Sequence, residues 1–256
     1  MLNYEEIDGI ARLKRLSLVN AEKDYLQDAM LFSLYSNLSE ELVFKGGTAL
    51  YKIYKLNRFS EDLDFTLNHK IGVEKISSKI ISDLMLLGIK GKIKEAKESS
   101  SEINVRFLLN GPLYRGNKET QCFIPLNMSK REHTLLEPKK EMITSLYREI
   151  PNFEVFVMEE EEILAEKIRT IFQRQKPRDI YDIWFLLIRK NTSPAKEIIR
   201  KKLSPYNIEF SLKEFKGRIE KMRGLWNTDL KNLAFSDIKD FDEIKKEVIE
   251  KLTEKL

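Results

Sequence analysis

The chain has 256 residues, 42% hydrophobic and 34% charged, with a formal net charge of +4 at pH 7. That length buries one sizeable core or a core plus a helical domain, and the mildly basic balance permits a nucleic-acid partner without demanding one. A lone Cys122 excludes an internal disulfide, His69 and His133 give no zinc spacing, and no apolar run approaches the roughly 18 residues of a membrane span. Met1-Leu2-Asn3-Tyr4-Glu5-Glu6 lacks the basic start and apolar core of a secretion signal, so a cytoplasmic location without membrane contact is expected.

Helix-period patterns cover Tyr4 to Arg15 and Ala21 to Ser36, with Leu26, Met30, Ser33 and Leu34 on one face of the second. Leu42, Val43 and Phe44 form a short apolar run with strand character, Gly46-Gly47 a turn, and Thr48 through Tyr54 a helix. Leu63, Phe65 and Leu67 then alternate with Asp62, Asp64 and Thr66, the period-two pattern of a half-buried strand. A helix over Val73 to Leu87, closed by Gly88, precedes strands at Ile89 to Ala96 and Ile103 to Leu109. Residues 111 to 120 form an exposed hairpin loop before a strand at Gln121 to Met128. Past Pro151, a strand at Phe153 to Val157 leads to Glu159-Glu160-Glu161-Glu162, which opens a helical remainder with turns near Pro177, Pro194 and Pro205. The pattern predicts an α/β or α+β core over residues 1–150 and a helical domain over residues 151–256, without internal repeats.

The stretch from Lys45 to Phe65 carries the strongest chemical signal. Asp62 and Asp64, on one side of a strand, lie about 6 to 7 Å apart along it, close enough to share a hard cation such as Mg²⁺. The helix that starts after Gly46-Gly47 leaves amide N–H groups to attract an anion, and Thr48 could cap it or bind a phosphate oxygen. The spacing differs from the P-loop pattern. Each motif alone is commonly structural, but glycine turn and Asp-x-Asp strand within about twenty residues point to a metal-bound triphosphate. Arg58 and Ser60, just before the acids, are placed to touch phosphate or orient a carboxylate, with a cap and a surface charge as the plainer alternative.

A second constellation lies in the helical half. Leu164, Ile168, Ile171 and Phe172 keep helix spacing, which puts Lys167 at the border of a buried face and in need of a partner. Asp179 and Asp182 share a face of the next helix and could pair with Lys167 or Arg174, while Ile180, Ile183, Trp184 and Leu187 pack it. Without the first motif, ordinary ion pairs stapling two helices would explain this set.

In order, Lys45-Gly46-Gly47-Thr48-Ala49-Leu50, Arg58-Phe59-Ser60-Glu61-Asp62-Leu63-Asp64-Phe65, Glu161-Glu162-Ile163-Leu164-Ala165-Glu166-Lys167-Ile168-Arg169 and Arg178-Asp179-Ile180-Tyr181-Asp182-Ile183-Trp184 resemble the AbiEii/AbiGii nucleotidyltransferase toxins, of the polymerase-β-like superfamily, over roughly residues 20 to 190. The resemblance implies a nucleotidyltransferase core with a mixed sheet and a C-terminal helical domain that completes the active-site cleft. It implies nucleotide phosphates at Lys45, Gly46, Gly47 and Thr48, with Arg58, Ser60 and Arg178 as further nucleotide-binding candidates. Mg²⁺ would sit on Asp62 and Asp64, and Lys167, Asp179 and Asp182 would complete the catalytic set. It further implies transfer of a nucleoside monophosphate from an NTP to an acceptor, expected to be transfer RNA, and silencing by a separately encoded antitoxin.

One position departs from the superfamily pattern. Where a third carboxylate is common, Asn127 stands between Leu126 and Met128, facing away from the buried set and offering a neutral amide as a candidate third metal ligand. Either Asp179 or Asp182 substitutes as the base, or catalysis is slow or absent. A nucleotide- or RNA-binding module without turnover, a helical interaction protein and a small-molecule nucleotidyltransferase of the antibiotic-modifying type remain as alternatives. Lysine-rich stretches at Lys196 to Lys202 and Lys213 to Lys221 fit an RNA backbone or a solvated helix face.

Overall fold

In the computed structural model, which describes residues 1–131, 133–231, 233–235 and 238–256, the chain divides into two units. The first comprises Met1–Lys55, Phe59–Thr134 and Pro138–Val157, and the second Leu56–Arg58, Leu135–Glu137 and Met158–Leu256. The strand Phe153–Val157 belongs to the first unit's sheet.

Seven strands build that sheet: β1 (Leu42–Lys45), β2 (Leu63–Leu67), β3 (Lys90–Glu98), β4 (Glu102–Asn110), β5 (Cys122–Ser129), β6 (Lys139–Ile143) and β7 (Phe153–Val157), in the order β3-β4-β5-β2-β1-β7-β6. The acid-bearing β2 lies antiparallel to β1 and parallel to β5, and β1 runs parallel to β7, so the sheet is mixed as expected. Leu63, Phe65, Ile103, Val105, Phe107, Leu109, Ile124, Leu126 and Met128 are buried by the alternation their sequence shows. β6 has no such alternation. Lys139-Lys140-Glu141-Met142-Ile143 is an edge strand paired with β7, and such a strand needs little apolar patterning.

Four helices, α1 (Tyr4–Lys14), α2 (Leu18–Tyr35), α3 (Gly46–Lys52) and α4 (Val73–Leu86), complete this unit. Asn3 and Glu6 form a reciprocal capping box that starts α1, and Ser17 caps α2. α2 packs on β5, β7 and α4 and is buried along most of its length, including its polar residues Glu22, Asp24, Gln27 and Asp28.

Asp24 and Asp28 among them are paired with cations. Asp24 meets Lys52 at 2.6 Å and also Lys14, and accepts from the Tyr147 hydroxyl at 2.6 Å; Asp28 meets Lys52 at 2.5 Å and accepts from Ser145 at 3.0 Å. Burial alone would raise the Asp24 carboxyl, but the charges of Lys52 and Lys14 outweigh it and hold the group down at about 2. For Asp28, with one direct lysine partner, burial wins and the carboxyl rises, helped by the neighbouring charge of Asp24.

The second unit is helical: α5 (Glu160–Gln173), α6 (Pro177–Trp184) continuing into a π-helical turn at Phe185–Arg189, α7 (Lys196–Leu203), α8 (Leu212–Glu220), α9 (Trp226–Leu230) and α10 (Phe241–Lys255). Glu160, Glu161 and Glu162 occupy the first turn of α5, where they suit the positive helix end, and Pro177 opens α6. Lys202, with no exposed surface, pairs with Glu162 at 2.7 Å and Glu166 at 3.1 Å. Glu162 also accepts from the amides of Leu135 and Leu136, anchoring that short segment within this unit. Among the described residues no helix is long and apolar enough to cross a membrane.

Replacing Lys52 by Met leaves Asp24 and Asp28 buried against each other with Lys14 as the remaining cation. Removing one member of a buried charge network costs about 3 to 5 kcal/mol, so urea unfolding of Lys52→Met is expected to show a loss of that size at neutral pH.

Candidate active site

The glycine turn and the acid strand meet within the first unit. β1 ends in extended Lys45, and Gly46 follows at φ +75°, a left-handed conformation that disfavours side chains. A Cβ at Gly46 would lie 2.8 Å from Asp64 Oδ2, so this turn is glycine for room as well as for dihedral angle. The register agrees: Lys45 and Asp64 are paired across β1 and β2.

Two further groups fix the approach to the acids. Thr48 is fully buried, and its hydroxyl donates to the carbonyl of Asp62, which ties the start of α3 to the beginning of β2. That bond takes the hydroxyl proton, so Thr48 is neither the helix cap, which is Lys45, nor a donor to phosphate in this arrangement. From the other side, the Gln27 amide donates to the carbonyls of Ser60 at 3.0 Å and Glu61 at 2.9 Å. Ser60 is therefore held through its backbone.

Asp64 is also supported laterally. Asn127 lies beside it in the parallel register, and its Nδ2 donates to Asp64 Oδ1 at 2.8 Å. Arg106 on β4 donates to Asn127 Oδ1 at 2.7 Å and, at 3.4 Å, to Asn104. A guanidinium can only donate and a carboxylate only accept, so these two neighbours determine which way the Asn127 amide points. The oxygen that a cation would need faces Arg106.

Asp64 alternates with buried Leu63 and Phe65 on β2, whereas Asp62, expected on the same strand, precedes its first residue; both are half-buried oxygen donors. Among the described residues no group of three or more His, Cys, Asp and Glu is arranged for a metal. Two carboxylates fit Mg²⁺ nonetheless, because that ion commonly takes one or two carboxylates and fills its shell with water and substrate phosphate oxygens. The absence of a side chain at Gly46 leaves room for the Asp64 carboxylate, whose Oδ2 a Cβ there would approach to 2.8 Å.

The second constellation is assembled inside the helical unit. Asp182 takes a bidentate bond from Arg58, Nε at 2.7 Å and Nη2 at 2.6 Å, and pairs with Lys167 at 2.7 Å. Asp179 takes Arg174 through Nε at 2.7 Å and Nη2 at 2.8 Å, and Lys167 at 3.0 Å. Both carboxylates are almost wholly buried, at 1% and 0% exposure for Asp179 and Asp182, and Lys167 is buried with them. The expected pairing of Lys167 and Arg174 with these acids is present, and Arg58 joins as the group that orients Asp182. Arg178, at the start of α6, is half-buried and donates its backbone amide to Asp229 at 3.0 Å.

Burial would raise the Asp179 carboxyl, yet Lys167 and Arg174 overcome it and hold the group well below the carboxylate range. For Lys167 burial works against the charge, and Asp182 and Asp179 more than restore it, so its ammonium is held above the usual range. Arg58 behaves alike: burial opposes and Asp182 outweighs it. Such a group of three cations and two anions is a fixed, charged keystone, and Asp179 within it is not disposed to accept a proton.

Sequence patterns did not mark Gln27 or Arg106. Gln27 was hidden as a polar residue on the core side of α2; Arg106 alternates with buried Val105 and Phe107, a signal that marks its outward face but not its partner.

A model of the family described as nucleotidyl transferase AbiEii toxin, type IV toxin–antitoxin system, matches residues 30–247. The chain belongs to this family. It is a nucleotidyltransferase by that membership. Among proteins with curated descriptions, none matches the sequence. Solved structures share the fold. JHP933 from Helicobacter pylori aligns over 93% of this chain and 92% of its own, with 23% identity and a TM-score of 0.62. A nucleotidyltransferase described as putative, also from H. pylori, aligns over 93% and 95%, with 22% identity and a TM-score of 0.62. MenT4, a nucleotidyltransferase toxin of Mycobacterium tuberculosis, aligns over 98% and 88%, with 17% identity and a TM-score of 0.63.

Within this AbiEii-family chain, Gly46→Ala forces a side chain into a left-handed turn, at about 1 to 2 kcal/mol, and against Asp64. Thermal unfolding should show that loss, and Mg²⁺-dependent NTP binding should weaken with it. The ion-pair keystone gives a pH signature. Asp179 is held below its ordinary value, so its contribution to stability is complete above about pH 4 and drains away as pH falls through the lowered folded value. Asp179→Asn should therefore be less stable by about 3 kcal/mol at pH 7, and its stability should fall less steeply than wild type on acidification below pH 4.

Proposed function

We propose that this protein is a Mg²⁺-dependent nucleotidyltransferase of the cytoplasm that moves a nucleoside monophosphate from an NTP onto transfer RNA, and that a separately encoded antitoxin restrains it. Family membership supports the reaction class and the toxin character. The observation that carries the assignment of the site is the contact between the Gly46 turn and the Asp64 carboxylate, where a Cβ would come within 2.8 Å of Oδ2.

In this reading Asp62 and Asp64 hold the cation, and the backbone of Lys45, Gly46 and Gly47 receives the phosphates. The bound Mg²⁺ supplies charge neutralisation on the triphosphate. Asn127 keeps Asp64 oriented through its amide N–H and takes no proton, since an amide is not a base at neutral pH. An acceptor hydroxyl attacks the α-phosphorus, the bond to the β-phosphate oxygen breaks, pyrophosphate leaves and the hydroxyl proton passes to solvent. Alignment and charge compensation supply the acceleration. Lys167, Asp179 and Asp182 take a positioning part: they lock Arg58 and Arg174 in the helical unit.

The test is incubation with each labelled NTP, Mg²⁺ and total cellular RNA, with products resolved on a gel. Label is expected in the transfer-RNA band. Asp64→Asn retains an acceptor for Asn127 but loses the charge, and should lower transfer by at least the 10² to 10³ typical of a major electrostatic group with the fold intact. Wild-type transfer by Asp64→Asn overturns the site. Label confined to protein or small molecules overturns the acceptor, and no label with any NTP overturns the activity.

A further inference from the structure

The face of the sheet that bears Asp64 continues sideways into a basic and partly aromatic surface of the same unit. On β5, Phe123, Pro125 and Asn127 alternate with buried Ile124, Leu126 and Met128 and so share one side. The register extends this side across two more strands: Asn127, Pro125 and Phe123 pair with Asn104, Arg106 and Leu108 on β4, and these with Lys97, Glu95 and Lys92 on β3. Direct bonds run from Asp64 through Asn127 to Arg106. At roughly 3.3 Å per residue, Phe123 stands about 13 Å along the strand from Asn127.

The Phe123 ring is 39% exposed, and the Lys94 ammonium lies 5.6 Å from its centroid. Lys97 is neutralised by Glu95 at 2.5 Å. Among the described residues, Lys90, Lys92, Lys94 and Arg106 form no salt bridge, and the three lysines are exposed. Lysines on β3 alone have a plain use, since charge on an edge strand deters pairing with another chain. That use does not account for Phe123, which lies on an interior strand. Cations that track a phosphate backbone beside a partly exposed ring that can receive a base are the combination that binds single-stranded nucleic acid.

We propose that Phe123, Lys92, Lys94 and Arg106 form the seat of the RNA acceptor. An unpaired base stacks on Phe123, the flanking phosphates lie over the lysines, and the strand leads its hydroxyl-bearing end toward Asp62 and Asp64. The proposal rests on the nucleotidyl-transfer reading and adds to it where the acceptor lies.

The test uses the full chain, a short fluorescein-labelled single-stranded RNA and a DNA of the same sequence, with affinity followed by anisotropy across a salt series. Phe123→Ala should weaken RNA binding about tenfold or more, and Phe123→Trp should restore it. The pair Lys92→Ala with Lys94→Ala should weaken binding and flatten the slope of log affinity against log salt by about 1.4, at roughly 0.7 per lost phosphate contact. In the transfer assay both should raise the apparent KM for RNA and leave that for NTP in place. Unchanged RNA affinity and salt slope in both variants would overturn the proposal and leave the β3 lysines as edge protection. Equal weakening of DNA and RNA binding in these variants is expected, since stacking and phosphate contacts do not read the 2′-hydroxyl. Wild-type transfer that is lost in Asp64→Asn keeps the nucleotidyl-transfer reading standing in either case.

Discussion

The contact of the Gly46 backbone with the Asp64 carboxylate is the constraint around which the first unit is arranged. It fixes what residue can stand at the turn, and it goes with the register of β1 and β2, in which Lys45 lies opposite Asp64. The surrounding polar groups serve the same alignment. Thr48 and Gln27 hold the backbone that enters β2, and Asn127, itself steered by Arg106, holds the carboxylate from the side. None of the four needs to meet substrate for the site to depend on it.

The helical unit solves a different problem. Arg58, Lys167, Arg174, Asp179 and Asp182 bring three positive and two negative groups together with almost no water. Each carboxylate oxygen has a cationic donor, so the desolvation of the acids is offset locally, and Arg174 is the most exposed of the five. The departure at Asn127 takes its meaning from this arrangement. Acids so thoroughly engaged with cations are poorly placed to stand in for a missing carboxylate.

Much of this was legible in the chain. Period-two alternation located β2, β4 and β5, and the helix patterns over Tyr4 to Arg15 and Val73 to Leu87 ended within a residue of the observed helices. Motif order carried the family. Three things were out of reach for physical reasons. β6 was missed because an edge strand with little buried surface has no apolar rhythm. The Arg58 to Asp182 bond joins residues 124 apart, and spacing rules reach only one helix or one strand. The hydrogen bond that spends the Thr48 hydroxyl depends on where a carbonyl lies in space, and two hydroxyl roles compatible with the sequence gave way to a third.

The order of strands has a bearing on how the protein comes into being on the ribosome. Asp64 is flanked by Asn127, 63 residues downstream, and β1 takes its other neighbour at Val157, 113 residues after Phe44. At roughly 5 to 20 residues per second of synthesis, the strand with the acids waits about 3 to 13 seconds for β5 to emerge, and non-local pairing of this kind is slow in its own right. A nascent polypeptide therefore carries its full Asp-x-Asp motif while still lacking the neighbour that aligns it.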